Sequence, residues 1–557
     1  MKHIKELFSF TRLLLLTCLL QFTSCSDYLD KDSQVDTNLD YEQVFKDPHL
    51  AAGFLNNAYN QLPDGFSRLN GALLAAACDE AKHSDAGDNI QLFNNNSISP
   101  SYNPDNVWND MYAGIRKCNI FLKELNGLIA KYNSIPEKDR PAYRGQALCL
   151  RAFFHFELLK RYQNIIYVDT VLNPFNEEEI YSFRQLSFKE AVEKIAKDCD
   201  DSAAGLLPDK WDDASKGRAT RATAMAIKAR MLLYAASPLN NQGNDRSLWE
   251  KAEEASKALY DARSAFGLGL SSDYAAVFTT PYDNEIIFAT RASNRNDIET
   301  NNFPVSYQGK GYANPSHDLV NAYSMTGTYY DNPMNGYNPA NPYYNREDRF
   351  RATILYNDAT FKDSKVESYV GGKDGLYATS TATKTGYYLQ KFLSPSISLE
   401  KGETARRPWI LYRYAEVILN YAEARNEVLD NPNDKTLHDL LNLIRNRAKL
   451  RPFRNVNEYI KDKDAMREYI KHERRIELAM EEHRFWDLRR WKDAETVLNK
   501  PLQGMRIEKT SAGFTYTPFQ VEQRSFDPKF YWYPIPRTEI LKYKSHGTEL
   551  KQNPGWE

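Results

Sequence analysis

Apolar residues recur at helical spacing through most of the chain, and this pattern predicts a mostly α-helical fold. In residues 140–162 they are so dense that we expect a helix buried around most of its circumference. Helices of this length, joined by short polar loops, indicate stacked pairs similar to tetratricopeptide repeats that form a single body. The other segments with helical spacing are 105–132, 188–206, 220–236, 249–260, 410–428, 437–448 and 464–491.

Residues 264–405 interrupt the helical pattern and predict a loop-rich, aromatic-rich excursion from the helical body. Residues 301–350 alone contain 8 Tyr, 9 Asn and 5 Pro, and Asn-Pro and Asn-Gly steps among them favour turns. So aromatic a segment is atypical of disorder, and a long ordered loop in a compact protein usually has a function. We therefore expect the excursion to carry a ligand site. The predicted division is a helical region over 25–263 and a second region over 264–557, within one compact fold.

The first 25 residues have the order of a lipoprotein export signal. A basic start precedes the apolar run Leu13–Leu20, which is about half as long as the ~20 residues that cross a bilayer. A small residue directly before Cys25 resembles the bacterial lipobox, in which the cysteine is acylated. This predicts a signal peptide over 1–24, with Cys25 as the lipid attachment site. Acidic residues after Cys25 resemble a surface-export signal of Bacteroidota lipoproteins. The alternative is a secreted protein in which Cys25 merely falls early.

Charge and cysteine content exclude some classes of function. The 557 residues include 72 Lys and Arg against 74 Asp and Glu, and this balance argues against a nucleic-acid partner. The chain has 36 Tyr, which can present an apolar face and a polar tip at a wet surface. Four cysteines remain after the predicted anchor, and their spacing fits no zinc pattern. We expect buried free thiols, with a disulfide left open, at Cys78, Cys118, Cys149 and Cys199.

Searches for catalytic motifs fail at the decisive positions. His472-Glu473 begins like a zinc-protease motif, but Ile476 stands where the second zinc ligand would be. The Gly-Lys step at 372–373 is followed by Asp rather than by the Ser or Thr of a phosphate-binding loop. No nucleophile-elbow motif is present. We therefore predict neither an enzyme nor a bound cofactor.

Residues 471–491 form the most distinctive segment, within the predicted helix 464–491. Each pair of opposite charges three positions apart stabilises a helix by roughly 0.2–0.5 kcal/mol. We interpret the segment as a structural helix whose charges pair with neighbouring helices, rather than as a catalytic site. The pairs expected within it are Arg474/Glu477, Glu481/Arg484, Arg484/Asp487 and Asp487/Arg490.

Through eight segments, nearly the whole mature chain resembles the SusD/RagB family of nutrient-binding outer-membrane lipoproteins. The segments occur in family order, although Glu482-His483 stands where the family often has Glu-Gly and Trp556 where Tyr is frequent. They are Gly145–Phe154, Gly217–Thr220, Lys228–Arg230, Thr385–Phe392, Arg413–Ala424, Glu473–Trp491, Tyr533–Pro536 and Gln552–Trp556.

The resemblance implies a helical body, a loop-rich half that carries the ligand site, and a SusC-like TonB-dependent barrel as the partner. It implies capture of glycans or other nutrients at the outer membrane, by a lipid-anchored protein that faces the cell exterior. Apolar sugar faces stack on aromatic rings while the hydroxyls need polar partners, and a Tyr/Asn-rich excursion supplies both.

Ligand contacts in that family tend to come from loops after the first helices and from the excursion. The resemblance implies loops 79–104 and 280–345 here. Asp85 and Asp88 could also ligate calcium, but their spacing lacks the pattern of a dedicated loop, so we predict no metal site. The candidate ligand contacts are Asp79, Asp85, Asn89, Phe93, Tyr102, Tyr282, Tyr307 and Tyr312.

Two other hypotheses remain open. Stacked helical repeats commonly present concave protein-binding surfaces, so the chain could be a non-glycan lid or scaffold that captures peptides or other nutrients. An anchored hydrolase is the third hypothesis, because 74 acidic residues always include carboxylate pairs at a suitable distance.

Overall fold

The computed structural model describes residues 40–328, 332–453, 460 and 462–557. The predicted signal peptide 1–24 and the predicted attachment residue Cys25 lie outside the described residues. In the described part, no helix combines the length and the apolar character that crossing a membrane requires. The four cysteines of that part are buried free thiols, as predicted: Cys78, Cys118, Cys149 and Cys199.

Helices dominate the described chain and confirm the predicted mostly helical fold. Their bounds are α1 Tyr41–Lys46, α2 Pro48–Tyr59, α3 Gln91–Asn94, α4 Trp108–Asn126, α5 Leu128–Tyr132, α6 Arg140–Tyr162, α7 Glu177–Ser182, α8 Phe188–Ala203, α9 Arg221–Ala236, α10 Arg246–Phe266, α11 Asp297–Asn302, α12 His317–Ala322, α13 Asp348–Thr353, α14 Tyr414–Val428, α15 Lys435–Arg447, α16 Lys463–Glu477, α17 His483–Arg490, α18 Ala494–Leu498 and α19 Arg537–Ser545. Helices α2, α4, α6, α8, α9, α10 and α14 each pack against the next, and α14 also contacts α15 and α16. This succession is consistent with the predicted stacked pairs.

Helix α6 lies at the centre of the stack. Every residue from Gly145 to Tyr162 is buried, which confirms that the helix is enclosed on most of its circumference. Gly114 of α4 allows a close approach, since a Cβ atom at that position would lie 2.6 Å from the Phe154 ring. Helix α8 begins with a capping box between Ser187 and Glu190, which satisfies free amides of its first turn.

Three predicted helical segments are not continuous helices. The segment predicted over 105–132 divides at Gly127 into α4 and α5. Ile410–Arg413 is a strand rather than the first turn of the helix predicted over 410–428, because it pairs with Ile286–Ala289. The helix predicted over 464–491 breaks between α16 and α17, where Met480 and Glu482 take positive φ angles of 66° and 69°. The strand at 410–413 and the break between α16 and α17 change which charged side chains can meet.

The charges of 471–491 pair mainly with other elements, as the structural interpretation predicts. Of the four expected pairs, Asp487/Arg490 forms at 2.8 Å. The other three pairs are absent among the described contacts, because their members bind other partners. Arg484 binds Asp79, Glu477 binds Arg349, Arg413 and Arg447, Glu481 binds Lys391 and Arg413, and Arg474 binds Glu423 and Asp487.

Antiparallel strand pairs and a second hydrophobic core order the excursion and join it to segments that precede and follow it in the sequence. The pairs are β1 (Ala81–His83) with β4 (Ala313–Pro315), β2 (Ile286–Ala289) with β10 (Ile410–Arg413), β3 (Ser293–Arg295) with β9 (Ala405–Arg407), β5 (Ile354–Leu355) with β8 (Tyr388–Leu389), β6 (Thr360–Phe361) with β7 (Ser364–Lys365), and the longer hairpin of β11 (Leu502–Thr510) and β12 (Gly513–Glu522). Buried aromatic residues such as Phe303, Tyr387 and Tyr388 form the core beneath them.

Candidate functional site

The pairing of β1 with β4 brings the two predicted ligand loops together. His83 lies opposite Ala313 in the register, and the Ser84 amide donates to the Tyr312 carbonyl at 2.8 Å. The loop that follows β1 therefore begins beside the end of the loop that precedes β4. Two segments that lie about 230 positions apart in the sequence meet at one surface.

Tyr312 is the central aromatic residue of this surface. Its half-buried ring packs on the buried imidazole of His83, with 4.5 Å between the ring centroids. The Lys310 ammonium lies 5.2 Å from the Tyr312 centroid, within cation–π reach. The Tyr312 amide donates to the Asn301 carbonyl at 2.8 Å, which fixes the backbone beneath the ring. The ring is thus held from below and partly open to solvent.

A third segment, residues 374–384, runs alongside. Asp374 accepts from the Ser306 amide at 2.9 Å, and the Lys384 amide donates to Asn314 at the same distance. A Cβ atom on Gly311 would lie 3.2 Å from the Thr381 carbonyl, so the two segments touch. The segment carries Tyr377, which is 77% exposed. We call the surface formed by His83, Asp85, Lys310, Tyr312 and Lys384, together with the adjacent segment 374–384, the Tyr312 surface.

The Tyr312 surface contains both acidic and basic side chains. Burial lowers the pKa of His83, against the opposing effect of Asp88 and Asp85, so that the imidazole is neutral at neutral pH. Burial and the Lys82 ammonium lower the pKa of Lys384, while Asp85 raises it. Neither ring nitrogen of His83 has a hydrogen-bond partner among the described residues. The His83 nitrogens are buried, whereas Lys310 is exposed and Asp85 and Lys384 are partly exposed. The surface therefore combines an aromatic ring with these three polar side chains, which a ligand can reach.

Besides Tyr312, three of the predicted residues lie at or near this surface. Asp85 caps the turn that follows β1 by accepting from the Gly87 amide at 2.9 Å. Asn89 is exposed on the same loop. Tyr307 is half-buried five positions before Tyr312, with its hydroxyl 2.7 Å from the Ser364 hydroxyl and its ring edge on Phe361. Burial raises the pKa of Tyr307.

Asp79 and Phe93 lie in the interior instead. Asp79 accepts two hydrogen bonds from Arg484, at 2.9 and 3.0 Å, and lies 2.8 Å from Arg475. Although burial alone would raise it, these guanidinium groups hold the pKa of Asp79 well below its ordinary value. The Phe93 ring is 6% exposed and packs against Phe485 and Tyr533. Their internal contacts occupy both side chains, so we leave them out of the candidate site.

Tyr102 and Tyr282 lie on other parts of the molecule. Tyr102 is 49% exposed, two residues after Pro100, whose carbonyl accepts from Arg537 at the start of α19. Tyr282 lines a separate groove beside the loop between α8 and α9. The eight predicted residues therefore divide among the Tyr312 surface, this groove, the α19 side and the core.

Sequence reasoning missed the third segment of the Tyr312 surface. Residues 374–384 lie outside the two loops that the resemblance implies. Their signal in the sequence is an aromatic residue, Tyr377, between glycine and a run of Ser and Thr, directly before the segment Thr385–Phe392.

The described residues contain no group of three His, Cys, Asp or Glu side chains placed to hold a metal ion. Asp85 and Asp88, the pair considered for calcium, instead accept from the amides of Gly87 and Ile90. Both carboxylates thus stabilise turns of the loop.

Comparisons with known proteins cover most of the chain. A family model described as "SusD family" matches residues 276–556, and one described as "Starch-binding associating with outer membrane" matches residues 27–233. SusD-like protein P2 of Formosa agariphila is 25% identical over 435 residues, which are 74% of either chain. A solved SusD-like protein of Bacteroides fragilis is 26% identical with a TM-score of 0.75, covering 93% of this chain and 98% of its own. A SusD-like carbohydrate-binding protein of the same species is 23% identical with a TM-score of 0.73, covering 90% and 99%.

Proposed function

The chain belongs to the SusD family, and we propose that it is a cell-surface lipoprotein that binds glycans and delivers them to a SusC-like TonB-dependent transporter in the outer membrane. The family descriptions and the names of the similar proteins refer to starch or carbohydrate binding and to no catalytic activity. This agrees with the catalytic motifs that fail in the sequence. The protein is therefore a binding protein rather than an enzyme.

The observation that carries the proposal is the Tyr312 surface. A sugar ring has apolar C–H faces, which stack on an aromatic ring, and equatorial hydroxyls, which need donors and acceptors around that ring. Tyr312 supplies the ring, and Asp85, Lys310 and Lys384 supply charged hydrogen-bonding groups around it. Tyr377, on the neighbouring segment, offers a second and more exposed ring.

Calorimetry against a broad panel of oligosaccharides tests the binding step. For an oligosaccharide that binds the wild-type protein, Tyr312→Ala should weaken affinity about five- to tenfold, because a stacked aromatic contact contributes about 1 kcal/mol. Tyr344→Ala is the matched control, since Tyr344 is 70% exposed in the excursion but lies outside the Tyr312 surface. Unchanged affinity in both Tyr312→Ala and Tyr377→Ala would remove the surface from the proposal.

The lipid anchor is tested in cells. The proposal expects Cys25→Ala to abolish acylation and the surface exposure that an external protease detects. Acylated, protease-accessible protein from the Cys25→Ala variant would contradict the anchor. Capture of the barrel in a pull-down tests the transporter partner. Recovery of bound peptides by mass spectrometry, without binding of any oligosaccharide, would instead support a non-glycan lid.

A further inference from the structure

A groove of about 200 Å³ lies between the α8–α9 loop, the end of α10 and the residues around β2. Buried apolar side chains, among them Phe266, Ile287 and Phe288, form its floor. Two partly exposed aromatic residues, Trp211 and Tyr282, also line it. It shares no residue with the Tyr312 surface.

Both aromatic residues are held in place by backbone contacts. The Trp211 indole N–H donates to the Ala219 carbonyl at 2.9 Å, which sets the plane of the indole. Tyr282 takes a φ of 63°, in the left-handed region that bulky residues rarely adopt. Its ring lies against Gly217, where a Cβ atom would be 3.3 Å from the Tyr282 Cε1 atom. Strained positions of this kind cluster at ligand sites, because surrounding structure maintains them there.

Polar groups at the groove are left available. The side chains of Lys210 and Asn284 and the Tyr282 hydroxyl make no hydrogen bond or ion pair with other described residues. The side chains of Lys210 and Asn284 are exposed at the groove. By contrast, Asp209 is paired with Arg221 at 2.8 Å, and Asp283 accepts from the Glu285 amide at 2.9 Å. The groove thus offers unengaged donors and acceptors beside two rings.

The charges that line the groove nearly cancel. Asp209 and Asp283 face Lys210, Lys216 and Arg218, and Lys216 is itself paired with Asp213 at 2.6 Å. A strongly charged ligand would therefore gain little there. An apolar floor, two fixed rings and a few free hydrogen-bonding groups fit a neutral ligand with alternating apolar faces and hydroxyls.

We propose that this groove is a second carbohydrate-binding site, which takes one sugar unit of a neutral glycan against Trp211 and Tyr282. The sugar's C–H face stacks on the aromatic pair, and its hydroxyls bond Asn284, Lys210 and the Tyr282 hydroxyl. A chain with two separate sugar sites holds a polymer at two points, which strengthens capture through effective concentration. The inference does not depend on the Tyr312 surface.

The test uses the purified full chain with five neutral hexasaccharides: laminarihexaose, maltohexaose, cellohexaose, xylohexaose and mannohexaose. Hydrogen–deuterium exchange reads protection over 207–220 and 279–289. We expect a bound hexasaccharide to protect these segments in the wild-type protein and in Tyr312→Ala. Trp211→Ala and Tyr282→Gly should each weaken binding at the groove at least tenfold and remove the protection.

Tyr282→Gly separates binding from folding, because glycine is favoured at a positive φ and the variant should melt no lower than the wild-type protein. Phe175→Ala is the matched control, since Phe175 is 93% exposed and lies outside both sites. Protection confined to the Tyr312 surface would overturn the second site and leave the proposed function standing. If Tyr312→Ala abolishes binding and the groove shows no protection, the second site is likewise overturned. Binding that survives Tyr312→Ala and is lost in Tyr282→Gly would support the second site alone.

Discussion

Arg413 and Glu477 are joined across 64 positions of sequence by a buried hydrogen bond of 2.7 Å between the Nη1 and Oε1 atoms. The same guanidinium also bonds Glu285 at 2.6 Å and Glu481 at 2.7 Å. Although burial alone would raise it, the guanidinium groups of Arg447, Arg413 and Arg349 hold the pKa of Glu477 below its ordinary value. This cluster fastens strand β10, and through Glu285 the excursion with which β10 pairs, to α16 of the helical body.

Replacing Arg413 should strongly destabilise the fold. Arg413→Ala leaves the carboxylates around it buried with fewer partners, and removing one member of a buried ion pair typically costs about 3–5 kcal/mol. Chemical denaturation measures the loss, which should shrink at low pH as the stranded carboxylates become protonated. Arg246→Ala removes an exposed pair with Glu250 and should leave the midpoint unchanged. An equally small effect at Arg413 would contradict a structural role for the cluster.

The raised pKa of Glu80 should make the stability of the fold fall as the pH rises. Its carboxyl group accepts from the Met480 amide at 3.1 Å, and burial, followed by the neighbouring Asp79, raises its pKa from 4.5 to about 8. Because the folded state binds this proton more tightly, the stabilisation is complete below pH 4.5 and is lost as the pH rises towards 8. Glu80→Gln cannot titrate. Its free energy of unfolding relative to wild type should rise by on the order of 3–5 kcal/mol over that range.

Denaturant unfolding of both proteins at several pH values between 5 and about 8.5 measures this difference. Comparing the two proteins cancels the titration of the other groups that they share. A constant difference across the range would mean that Glu80 titrates at an ordinary pKa in the folded protein.

Helices that the spacing of their own apolar residues indicates could be predicted from the sequence. The bounds of α6 agree with the prediction, because the spacing of its dense apolar residues fits a helix throughout. The prediction fails where a distant segment decides the conformation. Ile410–Arg413 has helical spacing, yet it becomes a strand because Ile286–Ala289 pairs with it. The break at 478–482 likewise has its reason outside the segment, since the Met480 amide bonds Glu80.

The candidate site could be predicted only in part, for a similar reason. Residue type and loop position indicate Tyr312 and Asp79 equally well. The β1–β4 pairing leaves Tyr312 partly open at a surface, whereas Arg475 and Arg484 approach Asp79 from the far end of the chain and neutralise it. Sequence spacing carries no information about which loop residues meet such partners.

Gly386 should tolerate no side chain. It has a φ of 84°, and a Cβ atom there would lie 2.2 Å from the Met505 carbonyl oxygen of β11. Gly386→Ala combines backbone strain with a collision against main chain, so we expect a loss of about 2–4 kcal/mol in unfolding free energy. Gly402→Ala is the matched control, because Gly402 has a φ of 64° with open space around it and should lose about 1 kcal/mol. Equal losses at the two positions would show that the contact with Met505 yields without cost.

Two tyrosines at the proposed sugar sites carry backbone strain that a substitution should release. Tyr377 and Tyr282 have φ angles of 73° and 63°, where a residue with a Cβ atom costs about 1 kcal/mol or more relative to glycine. At Tyr377, whose exposed ring makes little packing contact, the glycine variant should therefore be about 1 kcal/mol more stable than the alanine variant. The same order should hold at Tyr282. Thermal or denaturant unfolding of the four variants measures both differences. If alanine equals glycine at either position, the left-handed backbone is not maintained in solution, and the strain assigned to that tyrosine is absent.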